Sequence, residues 1–137
     1  MTHTEHPPKL KLYAPKSYWE ASEDELKKIT NGCGTDGWKG ALVPETLWGL
    51  SVSTACNIHD WMYQKGQSFE SKEEADRVFL NNMVRTVNYN TNNCILKKLR
   101  RHRAKVYFEV VSLFGGDAFW NGKNPVDTFK DIEERTI

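Results

Sequence analysis

A histidine, two aspartates and a tyrosine carry the chemistry of this sequence. In Ala55-Cys56-Asn57-Ile58-His59-Asp60-Trp61-Met62-Tyr63, a helix puts His59 and Tyr63 one turn apart on a face shared with Cys56, with Asp60 about 100° further round. Asp76 follows on a second helical segment at the spacing of Leu80 and Met83, a carboxylate on a mostly apolar face. Burying it is costly unless something pairs with it. The short connection from Gln64 to Glu70 suggests antiparallel packing, which brings Asp76 within reach of His59. A carboxylate in that place fixes the imidazole tautomer and stabilises the imidazolium formed on proton capture, so His59 is set up as a general base. Asp60 is then left for other work. A hard oxygen ligand beside the glycine-rich stretch from Asn31 to Leu50 has the make-up of a Ca²⁺ site.

Each residue also has a plainer role open to it. His59 can be a core histidine satisfied by a neighbour, Asp60 an exposed helical carboxylate, Tyr63 a core residue, and Asp76 a first-turn acid favoured by the helix dipole. Cys56 and His59 are also spaced to chelate Zn²⁺ with Cys33 and Cys94 or His102, although no second pair at zinc spacing exists and Asp60 would have no part in it.

The elements that must position these groups are helical. The first sixteen residues hold Pro7, Pro8 and Pro15 and are expected to run extended or loose, ahead of a single domain over residues 17–137. A capping box at Ser22 to Glu25 starts a short helix that Asn31-Gly32 stops. A long loop runs from Asn31 to Leu50, of the kind usually kept for function. Helices are then predicted from about Val52 to Lys65, from Ser71 (with Glu74 completing a capping box) to the Asn88–Asn93 run, and from about Cys94 to Phe114. The third should turn Ile95, Leu96, Leu99, Val106, Tyr107, Val110, Val111 and Phe114 inward. No hairpin dipeptide joins two alternating segments, so strands are minor at most and the class is all-α.

The Cys56-x-x-His59-Asp60-x-x-Tyr63 segment resembles the catalytic helix of the phospholipase A2 family, and Ala75-Asp76-Arg77 resembles the second helix of that family. Asn31-Gly32-Cys33-Gly34 looks like its calcium loop in the shortened microbial form, and the resemblance covers roughly Asn31 to Gly116. It implies a phospholipase A2-like fold: two antiparallel catalytic helices, a third long helix and a glycine-rich calcium loop, with the core over residues 31–116. It implies that His59 activates water for attack on the sn-2 ester of a glycerophospholipid, that Asp76 orients His59, and that Tyr63 hydrogen-bonds Asp76. Asp60 would bind Ca²⁺ with backbone carbonyls from about Asn31, Gly32 and Gly34, the ion stabilising the oxyanion. Cys33 with Cys56 matches a loop-to-helix disulfide of the microbial members, which leaves Cys94 over, expected to be buried.

Lys+Arg 19 against Asp+Glu 18, a net charge of +1, excludes a surface built wholly for nucleic acid, and no apolar run is long enough to span a bilayer. The expected partner is a phospholipid surface or micelle. Trp38 and Trp48 in the long loop, and Lys97, Lys98, Arg100 and Arg101 in the basic run 97–105, are candidates to touch it. The same run could instead be a solvated helix face, or serve a small basic nucleic-acid-binding domain, and a catalytically silent membrane-binding module is a further rival. The opening residues lack the pattern of a secretory signal, and the protein is expected to act outside the producing cytoplasm or after delivery to a target membrane.

Overall fold

Apolar residues at 3.6-residue spacing form three long helices that stack as an antiparallel series. The computed structural model of the chain describes residues 9–29, 44–123, 133, 135 and 136. Two short helices, α1 (Lys16–Glu20) and α2 (Glu23–Ile29), come first, and Ser22 Oγ accepts the Glu25 N–H at 3.2 Å as the capping box requires. A two-stranded antiparallel sheet, β1 (Thr46–Leu47) and β2 (Leu50–Ser51), leads into α3 (Ser53–Lys65), α4 (Phe69–Asn90), α5 (Cys94–Phe114) and α6 (Gly116–Trp120). Among the described residues the architecture is thus mostly helical.

α3 buries Ala55, Cys56, Ile58, His59, Trp61, Met62 and Tyr63, so it is covered on most of its circumference. α4 begins two residues before the expected start at Ser71. Ser68 is the cap, its Oγ accepting the Ser71 N–H at 3.1 Å, and Ser71 is therefore a capped residue and not a capping one. The helix also runs through Asn88 to Asn90, where the Asn90 amide donates back to the Thr86 carbonyl at 2.8 Å. Asn93 then starts α5 by accepting the Ile95 and Leu96 N–H groups.

On α5 the inward stripe differs from the expected one. Ala104, Tyr107 and Val111 are its buried residues, whereas Ile95, Leu99 and Phe114 are 73%, 41% and 64% exposed. Counting back one turn from Ala104 puts Arg100 on this inner stripe. There Arg100 takes up the hairpin between β1 and β2, donating to the Leu47 carbonyl (3.2 Å), the Trp48 carbonyl (3.0 Å) and Thr91 Oγ1 (2.9 Å). Tyr107 Oη donates to the Thr46 carbonyl at 2.8 Å. The turn itself is Trp48-Gly49, both at positive φ (47° and 82°), as a two-residue hairpin of right-twisted strands needs. Replacing Arg100 by Ala is expected to cost roughly 1–3 kcal/mol in urea unfolding and to raise amide exchange at Leu47 and Leu50, because the carbonyls lose their donor.

The segment before α1 is pinned to α4. Asn82, fully buried, accepts the Tyr13 N–H and donates to the Tyr13 carbonyl, both at 2.7 Å, and the Arg85 guanidinium lies 4.0 Å from the Tyr13 ring centroid. Two hydrophobic clusters result. One joins Leu47, Cys56, Phe79, Met83, Tyr107 and Val111, and the other joins Ile58, Met62, Tyr63, Ala75 and Phe119.

Candidate active site

His59 and Asp76 sit where these two clusters meet. Phe79 of the first stacks on the imidazole (centroids 4.5 Å apart, planes at 26°), and the Tyr63 ring of the second lies 4.1 Å from it. Antiparallel packing of α3 and α4 sets His59 Nε2 2.8 Å from Asp76 Oδ1, with the residues only 1% and 3% exposed. Tyr63 Oη donates to the same oxygen at 2.6 Å. The predicted meeting of His59, Asp76 and Tyr63 is therefore present in the fold. An ionised carboxylate only accepts hydrogen bonds, so Nε2 carries the imidazole proton in this contact.

The second carboxylate oxygen belongs to a residue that the sequence did not single out. Lys72, 6% exposed, donates from Nζ to Asp76 Oδ2 at 2.8 Å and to the Val111 and Ser112 carbonyls in the last turn of α5 at 3.3 and 3.4 Å. A lysine one helical turn before an aspartate on an apolar face was the available signal, since an i,i+4 pair shares a face. Burial alone works to raise the Asp76 carboxyl, but hydrogen bonds from His59, Lys72 and Tyr63 and the His59 charge outweigh it and hold Asp76 below the usual carboxylate range. Burial, then the Asp76 charge and hydrogen bond, push the Tyr63 phenol far above its ordinary value, so it stays a donor.

Residues 10–95 match the family model described as Protein of unknown function (DUF1353). The chain belongs to the DUF1353 family. No curated protein and no solved structure matches it. The matched DUF1353 segment contains His59, Asp60, Tyr63, Lys72 and Asp76, while the α5 carbonyls that hold Lys72 lie beyond it.

The other predicted site residues are distributed as follows. Asp60 is half-buried on α3, next to His59. Asn31, Gly32, Cys33, Gly34 and Trp38 lie outside the described residues. Among the described residues, no three His, Cys, Asp or Glu side chains gather into a metal-holding group. Cys56 is buried and disulfide-bonded, which removes it as a thiolate ligand of zinc. Cys94 is a free, exposed cysteine, contrary to expectation, because the first turn of α5 precedes its buried stripe. Trp48 is 51% exposed at the hairpin tip, with the Arg103 guanidinium 5.2 Å from its ring centroid. Lys98 is exposed and Lys97 half-buried. Arg100 is committed to the hairpin carbonyls, and the exposed Arg101 donates to Asn88 Oδ1 on the surface. No described helix is long and apolar enough to cross a membrane.

Proposed function

We propose that this DUF1353 chain is a phospholipase A2-like enzyme that hydrolyses the sn-2 acyl ester of a glycerophospholipid with Ca²⁺, His59 being its general base. The observation that supports this most directly is the buried Asp76 carboxylate, which holds His59 Nε2 at 2.8 Å and Tyr63 Oη at 2.6 Å. With the proton kept on Nε2, the basic nitrogen of His59 is Nδ1, and that atom takes the proton of the attacking water. Asp76 stabilises the imidazolium that forms, and His59 returns the proton to the departing alkoxide. Tyr63 and Lys72 hold the carboxylate still meanwhile, one on each oxygen.

Asp60 fits a Ca²⁺ ligand by its chemistry, a carboxylate presented by a rigid helix beside the base, and Asn31, Gly32 and Gly34 would add backbone carbonyls. The bound ion would supply Lewis-acid stabilisation of the developing oxyanion. A Cys33 to Cys56 disulfide would tether the calcium loop to α3. The substrate would be met at a phospholipid surface, with Trp48, Lys98 and Arg101 the exposed contacts from the expected set.

Fatty-acid release from mixed phospholipid vesicles tests this with Ca²⁺, with EGTA, and with His59→Gln. Release is expected with Ca²⁺ alone, and the substitution should reduce it by roughly 10²–10⁴-fold. Release that ignores EGTA or survives His59→Gln rules the mechanism out. Absence of release, with Ca²⁺ still raising the Tm, would favour a silent membrane-binding module.

A further inference from the structure

Behind the Asp76 carboxylate, between α4, α5 and α6, lies a cavity of about 400 Å³ whose lining is mainly apolar and includes two pairs of opposite charge. Its floor is the Lys72–Asp76 ion pair, 2.8 Å and buried on both sides, so those two charges cancel internally. Its inner walls are the half-buried Phe108 and Trp120. At the mouth, Phe69 and Leu113 stand 61% and 74% exposed, large apolar side chains held in water at the entrance to an apolar space. Beside them Arg77 and Glu73 form a loose pair at 4.0 Å, with side chains 65% and 52% exposed.

Each part of this lining selects against some ligands. The volume is at the small end of ligand pockets, about 300–1,000 Å³, which suits one chain and not two. A head group with a single net charge would meet a like charge at either Arg77 or Glu73, whereas a head carrying both signs could pair with each at once. We propose that this cavity binds a single-chain zwitterionic amphiphile, its chain against Phe108, Leu113 and Trp120 and its head between Arg77 and Glu73. Binding is read without turnover, so the proposal stands or falls apart from the role given to His59.

Isothermal titration below the micelle threshold tests it with decylphosphocholine, decanoate, decyltrimethylammonium and chain-free phosphocholine. Decylphosphocholine is expected to bind one per chain and at least tenfold tighter than the two singly charged amphiphiles, and phosphocholine alone is expected to give no binding heat. Arg77→Glu makes the rim doubly negative and should turn the preference to decyltrimethylammonium. Gly116→Phe should weaken decylphosphocholine at least tenfold, since Gly116 lines the cavity and a Cβ there meets nothing within 4 Å. Equal affinity for all three amphiphiles, or no saturable binding, overturns the proposal. So does a folded Gly116→Phe that binds like the parent, and if that variant fails to fold, the Arg77→Glu preference decides alone.

Discussion

Asp76→Asn is expected to lose roughly 3–5 kcal/mol of stability in urea unfolding at neutral pH, because it strands the Lys72 ammonium in the interior without its counter-charge. The amide keeps the carboxylate's shape, so the loss reports charge and hydrogen bonding and not a cavity. Lys72 has three acceptors, and the two that would remain are backbone carbonyls at 3.3 and 3.4 Å, which share no negative charge with it. The double variant Lys72→Met/Asp76→Asn should be less destabilised than the sum of the singles, since it removes both members of the pair. The pH dependence has a definite sign. Asp76 is held below the usual carboxylate range in the folded chain, so its contribution is complete above the unfolded pKa of about 3.9 and is lost as pH falls through the lower folded value. The gap between parent and Asp76→Asn should accordingly close below about pH 4. A gap that stayed constant into acid would show that Asp76 is not the carboxylate whose charge matters.

Gly115→Ala is the second substitution expected to have a large effect. A Cβ at Gly115 would fall 2.4 Å from the Val111 carbonyl oxygen and 2.6 Å from Tyr63 Oη. Gly115 has φ −79° and ψ −5°, which any residue can adopt, so the requirement for glycine is steric and not conformational. The end of α5 is pressed directly on the phenol that holds Asp76. Ala is expected to cost roughly 1–3 kcal/mol as an overpacked site and to displace the Tyr63 hydroxyl from Asp76. Tyr63→Phe distinguishes this from a general weakening of α5. Deleting the hydroxyl should cost less in the Gly115→Ala background than in the parent, because it relieves the crowding there and breaks a sound hydrogen bond in the parent. Equal costs in the two backgrounds, read by thermal unfolding, would refute the contact.

The dyad was legible because the residues that meet across α3 and α4 each follow the 3.6-residue period of their own helix, so His59, Tyr63 and Asp76 could be placed on facing surfaces from spacing alone. Lys72 was not, because a lysine near a helix start reads as solvated, and its burial depends on carbonyls forty residues further on in α5. The α5 stripe was displaced for a related reason. Ile95 and Leu99 fit an apolar pattern, yet the hairpin sits against Arg100 and Tyr107 and so dictates which face turns inward. The hairpin itself was hidden by its turn, since Trp48 at positive φ is outside the usual Asn-Gly and Asp-Gly signatures. Ser68 displaced Ser71 as the α4 cap because both begin plausible first turns and only tertiary packing separates them.

The bond from Lys72 to Val111 and Ser112 also has a consequence in time. His59, Tyr63 and Asp76 are synthesised, and emerge from the ribosome, before those carbonyls do, so for that interval the growing chain holds a carboxylate and an ammonium with no finished interior to receive them. Only when α5 emerges can the cation be drawn under it and the Asp76 carboxylate be fixed. The long helix α5, most of it outside the family match, thus completes the packing around Asp76, and a nascent chain lacking it would carry every catalytic residue proposed on α3 and α4 without Lys72 held at its α5 carbonyls.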